Sequence, residues 1–183
     1  MHILIVENDT TVRRELREML RHLGHTVAPA ADSRDAVTVA RQRTCDLAIL
    51  AGELPFGDGL HTARKLVRAN PMPILLLLDS AADKWFADVS NLPIYGCLFQ
   101  PVGLPALHVA ISVAAERFDE MHVLSSRVRD LEEALETRKL IDRAKGKLIR
   151  MGMSEQKAFL SIQTRARRTQ KTMREVAHAI LGD

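Results

Sequence analysis

Ile3-Leu4-Ile5-Val6-Glu7-Asn8-Asp9 places four uninterrupted apolar residues directly before three polar ones. A β-strand that helices cover on both faces is apolar without alternation. Polar residues that directly follow such a strand lie at the edge of the sheet where ligands bind. This stretch therefore predicts a buried parallel strand with polar side chains at its carboxyl end.

Strand and helix patterns continue to alternate through the first hundred residues. Short apolar runs predict further strands at residues 25–28, 47–50, 74–78 and 94–99, with amphipathic helices between them. Ser33 is expected to cap the second helix, and Gly52–Gly59 is expected to form a loop. A segment of weak periodicity with Lys84, Trp85 and Phe86 joins the last two strands. The pattern predicts an α/β fold with a five-stranded parallel sheet.

The chain then becomes helical. Beyond Leu104 the next glycine is Gly146, so one long helix, or two in line, is predicted. Apolar residues alternately three and four positions apart form a heptad seam within it: Met121, Leu124, Val128, Leu131 and Leu135. We expect the seam to join two copies in a homodimer. Packing of these residues within one chain is the alternative.

The last 46 residues predict a unit of three short helices. Ser154 is expected to cap the second helix, and Thr172 with Glu175 is a capping box for the third. The one aromatic side chain of this region, Phe159, is expected in the core. Stacking of bases on a flat aromatic platform is therefore not expected.

Charge divides the chain into two unlike parts. Residues 1–120 contain 12 basic and 15 acidic side chains, whereas residues from Arg138 to the end contain 12 basic and 4 acidic ones. Such a basic segment indicates a polyanionic partner. The candidate phosphate contacts are Arg138, Lys139, Arg143, Lys145, Lys147, Arg150, Arg165, Arg167, Arg168 and Lys171.

Composition excludes several classes of protein. With 46% apolar and 27% charged residues, the 183-residue chain is neither disordered nor collagen-like. Its apolar runs are far shorter than the roughly 20 residues that cross a bilayer, and its start lacks a secretory signal, so a cytoplasmic location is expected. Cys45 and Cys97 are expected to be buried thiols. No metal site and no cofactor is predicted.

Four motifs in residues 1–102 together resemble the receiver domain of bacterial response regulators. They are Ile3 to Asp9, Asp46 to Pro55, Gly57-Asp58-Gly59, and Gly96 to Pro101. The resemblance implies a flavodoxin-like fold in which an aspartate after the third strand accepts a phosphoryl group from a histidine kinase. Neighbouring acids would hold Mg²⁺, and a hydroxyl and a lysine would contact the phosphate.

This sequence departs from that pattern at each chemical position. The acceptor position falls on Ala51, the acidic pair on Glu7 and Asn8, the hydroxyl on Leu78 and the lysine on Gln100. These departures predict a pseudo-receiver that is not phosphorylated. Two alternatives stay open: Asp46 or Glu53 as a substitute acceptor, and a weak cation site at Glu7, Asp9 and Asp58.

The end of the chain resembles the ANTAR domain of transcription antiterminators. The residues that carry this are Thr137 to Gly146, Met153-Ser154-Glu155, Ala158-Phe159, Ala166 and Val176-Ala177, with Arg167 as a departure from the methionine usual there. The resemblance implies binding to paired hairpins in a nascent leader transcript, which prevents a terminator hairpin from forming. It also implies control by a ligand-sensing partner protein when the receiver lacks its acceptor.

The predicted organisation is a pseudo-receiver at residues 1–112, a coiled-coil linker helix at 113–136 and an RNA-binding ANTAR domain at 137–183. The predicted function is RNA-binding transcription antitermination, without enzymatic activity. A DNA-binding transcription factor with a helix-turn-helix tail is the alternative, although its recognition helix should be polar, whereas the last helix here carries an apolar stripe of five residues within nine positions. An enzyme that uses carboxylates near the sheet edge ranks third.

Overall fold

The computed structural model describes residues 1–79 and 92–182 and divides the chain into two compact units, residues 1–122 and 123–183. The first unit holds a parallel sheet of five strands with helices on both faces. Its strands and helices are β1 His2–Val6, α1 Thr10–His22, β2 Thr26–Ala30, α2 Ser33–Gln42, β3 Leu47–Ala51, β4 Glu53–Leu54, β5 Gly57–Asp58, α3 Gly59–Ala69, β6 Ile74–Leu78 and β7 Ile94–Phe99. A long helix, α4 Leu104–Arg150, follows, and then α5 Glu155–Thr169 and α6 Met173–Leu181.

The sheet has the strand order β2-β1-β3-β6-β7, with all neighbours parallel. Every residue of β3 and β6 is buried, as expected for strands covered on both faces. Successive residues of β1 point to opposite faces, so Leu4 and Val6 join one core while Ile3 and Ile5 join the other. The predicted five-stranded parallel α/β fold is confirmed.

Three local expectations for the first unit are wrong. Asp32, not Ser33, caps α2, because its carboxylate accepts from the backbone N–H of Arg34 at 2.7 Å. The 52–59 loop contains a small antiparallel hairpin, β4 with β5, whose turn uses a positive φ at Phe56. Cys97 is exposed, because β7 is an edge strand, whereas Cys45 is buried as expected.

Lys84, Trp85 and Phe86 lie outside the described residues. Among the residues that the structure does describe, no helix is long and apolar enough to cross a membrane.

The helix α4 runs unbroken through Gly146, which settles the open choice in favour of one long helix. The predicted linker helix and the first predicted helix of the C-terminal unit are therefore parts of one helix. Ser154 caps α5, and Thr172 with Glu175 forms the predicted capping box of α6. The three helices meet around small side chains, which allow close approach: Ala144, Ala158, Ala166 and Ala177, together with Leu148, Ile162 and Val176.

Candidate nucleic-acid interface and receiver site

The structure brings the receiver positions to one edge of the sheet. Glu7 directly follows β1, Ala51 ends β3, Leu78 ends β6 and Gln100 directly follows β7. The strand register aligns these ends, because Ala51 pairs with Leu77 and Leu78 pairs with Phe99. These positions therefore lie together at the edge where ligands of open parallel sheets bind.

The side chains at this edge offer little to a phosphoryl group. Ala51 is buried and has no oxygen, and Leu78 is buried and apolar. Gln100 carries a neutral amide where a cation would be needed to pair with the phosphate. The exposed Asn8 adds no charge, and its backbone carbonyl accepts from Arg13 of α1 at 3.3 Å.

Glu7 is the buried carboxylate of the site, with only 3% of its surface exposed. One carboxylate oxygen accepts from the backbone N–H of Asp9 at 2.8 Å, and the other has no hydrogen-bond partner among the described residues. Burial, together with the charges of Asp9 and Asp79, raises the pKa of Glu7 above its ordinary value. Sequence reasoning missed Asp79, although its position directly after the fourth sheet strand was a usable signal.

The structure also shows the positions of the residues that the sequence offered as alternative acceptors or as ligands of a cation. Asp46 lies just before the amino end of β3 and accepts from the backbone N–H of His2 at 2.6 Å. Glu53 lies on β4. Asp9 and Asp58 cap α1 and α3. Within residues 1–79 and 92–182, no group of three or more histidines, cysteines or acids is arranged to hold a metal ion.

The ten candidate phosphate contacts all belong to the C-terminal unit, and three of them have partners within it. Lys139 pairs with Glu136 at 2.8 Å. Lys147 donates to the backbone carbonyl of Leu181 at 3.1 Å, which fixes the end of α6 against α4.

Lys145 joins two helices. It lies 3.1 Å from both Asp142 and Glu155, with its side chain only 19% exposed. Hydrogen bonds to these carboxylates raise its pKa. Lys145 therefore ties α4 to the start of α5, and it is a positioning residue as well as a candidate contact.

The other seven cations are exposed and form no side-chain hydrogen bond or ion pair with the described residues: Arg138, Arg143, Arg150, Arg165, Arg167, Arg168 and Lys171. At 3.6 residues per turn, Lys139, Arg143 and Arg150 lie within about 40° of one another around α4. This face points away from the buried Ala144 and Leu148. It forms a row of cations accessible to a phosphate backbone.

A groove of about 950 Å³ lies on another side of α4, and it is lined by Arg138 and not by the row of Lys139, Arg143 and Arg150. Its wall holds three cations, Arg138, Lys145 and Arg174, beside three carboxylates, Asp130, Glu133 and Asp142, and Phe159 contributes an aromatic ring. Arg174 pairs with Glu133 at 3.0 Å and Lys145 with Asp142, so Arg138 is the cation of this wall without a partner among the described residues. Phe159 is 42% exposed, so the expectation that it lies in the core is wrong. The buried stripe of α5 follows Ala158, Ile162 and Ala166, which turns the ring of Phe159 to the margin of the core. Sequence reasoning missed both Phe159 and Arg174 as site residues.

The heptad seam is exposed along α4. Met121, Leu124, Val128, Leu131 and Leu135 are each between 52% and 70% exposed. Among the described residues the seam is therefore an uncovered apolar surface, and both the homodimer and its alternative, packing within one chain, stay predictions.

Comparisons with known proteins identify both units. Residues 3–112 match the response regulator receiver domain, and residues 129–181 match the ANTAR domain. The chain belongs to the ANTAR response regulators. One relative, the transcriptional regulatory protein PdtaR of Mycobacterium tuberculosis, is 35% identical over 181 residues, which cover 98% of this chain and 88% of PdtaR.

Solved receiver domains support the fold of this ANTAR response regulator. A response regulator receiver domain from Clostridium thermocellum has a TM-score of 0.60 at 20% identity and covers 66% of this chain and 98% of its own. The receiver domain of an HD-domain protein from Pseudomonas fluorescens has a TM-score of 0.60 at 27% identity and covers 65% and 97%. Both resemblances found in the sequence are thereby confirmed.

Proposed function

We propose that this ANTAR response regulator binds paired hairpins in a leader transcript and prevents transcription termination. The observation that carries the proposal is the set of exposed cations on the ANTAR unit that have no partner within the described residues. Exposed cations without partners attract a phosphate backbone, which releases its counterions on binding. The relative PdtaR is a transcriptional regulatory protein, which agrees with this role.

The two surfaces of α4 suit two parts of a hairpin. The row of Lys139, Arg143 and Arg150 faces solvent and suits the phosphates of the stem. The groove with Phe159 suits an unstacked base from the loop, because such bases stack on aromatic rings and arginine planes. We therefore revise the expectation from sequence: recognition uses shape and charge together with a single stacking position.

The exposed seam supports a homodimer. Leucine and valine side chains that are more than half exposed gain stability when a second helix covers them. A dimer would present two ANTAR units to two hairpins. This arrangement accounts for a preference for paired hairpins over single ones.

The receiver unit acts in this proposal as a pseudo-receiver without phosphorylation. We assign it to residues 1–112, the linker helix to 113–136 and the ANTAR domain to 137–183. Control then comes from a ligand-sensing partner protein that binds the regulator in the cytoplasm. The proposed chain is not an enzyme and uses no cofactor.

A gel-shift titration of the full chain tests the RNA proposal. The substrates are a leader RNA with two adjacent hairpins, the same RNA with one hairpin, and a duplex DNA of equal length, each at two salt concentrations. We expect the two-hairpin RNA to bind most tightly. Equal or tighter binding of the DNA would contradict the proposal.

Removing two cations from the row should weaken RNA binding through charge alone. For Arg143→Ala with Arg150→Ala, we expect the slope of log affinity against log salt to become shallower by about 1.5, since each phosphate contact contributes roughly 0.7–0.9. The matched control is Arg127→Ala with Arg129→Ala on the same helix, outside the ANTAR row. Equal slopes for the two variants would remove the row from the site.

Phosphorylation should fail in the wild-type chain. After incubation with acetyl phosphate and Mg²⁺, we expect intact-mass spectrometry to show no added phosphoryl group, because Ala51 has no nucleophilic oxygen. A receiver domain with an aspartate acceptor serves as the positive control. A stoichiometric adduct that maps to Asp46 or Glu53 would overturn the pseudo-receiver assignment.

A further inference from the structure

A second basic surface lies on the receiver unit, between α2 and α3. This α2–α3 groove has a volume of about 670 Å³ and contains four cations: Arg34, Arg41, Lys65 and Arg68. Among the described residues that line it there is no carboxylate. We propose that the α2–α3 groove binds a small oligophosphate, either a free polyphosphate or the phosphate chain of a nucleotide.

The four cations converge from two helices. Arg34 and Arg41 are seven residues apart on α2, so they lie on one face about 10.5 Å apart along the axis. Lys65 and Arg68 lie one turn apart on α3, on the facing wall of the groove. The two helices therefore present two cations each to the same groove.

No carboxylate of the described residues neutralises the charges of the groove. All four side chains are exposed, and none forms a hydrogen bond or ion pair with a carboxylate in residues 1–79 and 92–182. Four like charges around one groove repel one another, and a bound polyanion relieves that repulsion. Residues 1–120 as a whole carry more acids than bases, so this concentration of cations is specific to the groove.

Arg34 is held in place at one end of the groove. Its guanidinium stacks over the ring of Phe56 at 4.5 Å from the centroid. Phe56 is 67% exposed and has a φ of 63°, a left-handed conformation that is uncommon for a bulky residue. Because the ring already restricts the Arg34 side chain, less conformational entropy is lost when a ligand binds.

The rest of the groove also suits a phosphate ligand. Ser33 is 1% exposed, and its hydroxyl has no hydrogen-bond partner among the described residues. Phosphate oxygens accept hydrogen bonds from such hydroxyl groups. Val37 and Ala69 add an apolar lining. The volume falls within the roughly 300–1,000 Å³ of small-molecule sites, which favours a small ligand over a polymer.

Calorimetric titration of the full chain tests this proposal. The probes are inorganic tripolyphosphate, ATP, GTP and inorganic phosphate. We expect one site per chain for tripolyphosphate or for a nucleotide, with inorganic phosphate at least 10-fold weaker. Equal affinities for tripolyphosphate and ATP would assign binding to the phosphate chain, whereas tighter binding of a nucleotide would add a base contact.

Two charge-matched variants make the test specific. Arg41→Glu with Lys65→Glu should weaken binding at least 10-fold, whereas Arg14→Glu with Arg17→Glu on α1 should leave it unchanged. Gel shifts with the two-hairpin RNA distinguish this proposal from the RNA proposal, because the groove variant should retain wild-type RNA affinity. If no small phosphate binds, or if the groove variant loses RNA affinity instead, the proposal is wrong.

Discussion

A chain with Leu124→Glu and Leu131→Glu is expected to sediment as a monomer and to bind a two-hairpin RNA no more tightly than a single hairpin. Both leucines are more than half exposed on the seam. In a parallel dimer the change would place four carboxylates against one another in an apolar interface. Bivalent binding raises affinity by about 10²–10⁴-fold, so its loss would exceed the effect of removing one cation.

The control for this variant keeps its charge and moves it around the helix. Val123→Glu with Ser126→Glu adds the same two charges outside the seam. We expect this variant to sediment and to bind two hairpins as the wild type does. A dimer that survives in the seam variant, or a wild-type chain that stays monomeric with RNA, would contradict the role given to the seam.

The second large effect concerns the core of the ANTAR unit. Ala158 is 0% exposed and lies among the alanines that bring the three helices together. For Ala158→Asp we expect the unit to unfold, because an unpaired buried charge costs about 3–5 kcal/mol. A unit of this size has a free energy of unfolding of only about 3–9 kcal/mol. RNA binding should then be lost, and the negative ellipticity at 222 nm in circular dichroism should become weaker.

Leu160→Asp is the matched control, since Leu160 lies two residues away on the same helix and is 55% exposed. We expect its helical signal and its thermal unfolding to match the wild type. If both variants unfolded to the same extent, the charge itself and not burial would explain the result. The alanine core would then not be the source of the unit's stability.

The fold was predictable because its signals are local. Apolar runs such as Ile3 to Val6 and Ile74 to Leu78 can be buried on both faces only within a covered parallel sheet. Capping is equally local, as the Thr172 and Glu175 box demonstrates. The wrong cap at α2 arose because Asp32 and Ser33 are both good caps and adjoin each other.

The candidate sites were only partly predictable, because side-chain partners come from distant residues. The excess of basic residues in the sequence was enough to select ten candidate cations. The ion pair of Lys145 with Glu155 and the hydrogen bond of Lys147 to Leu181 depend instead on how the helices pack. The exposure of Phe159 depends on which side of α5 meets the core. The α2–α3 groove joins cations from two helices within a stretch whose total charge is acidic, so summed charge conceals it.

The alanine-built core of the ANTAR unit also affects its thermodynamics. Alanine buries a small apolar area, and the heat capacity change of unfolding scales with the apolar area that becomes exposed. A small heat capacity change flattens the curve of stability against temperature. The folded population of this RNA-binding unit should therefore respond weakly to cooling, and bound RNA would raise it by mass action at every temperature.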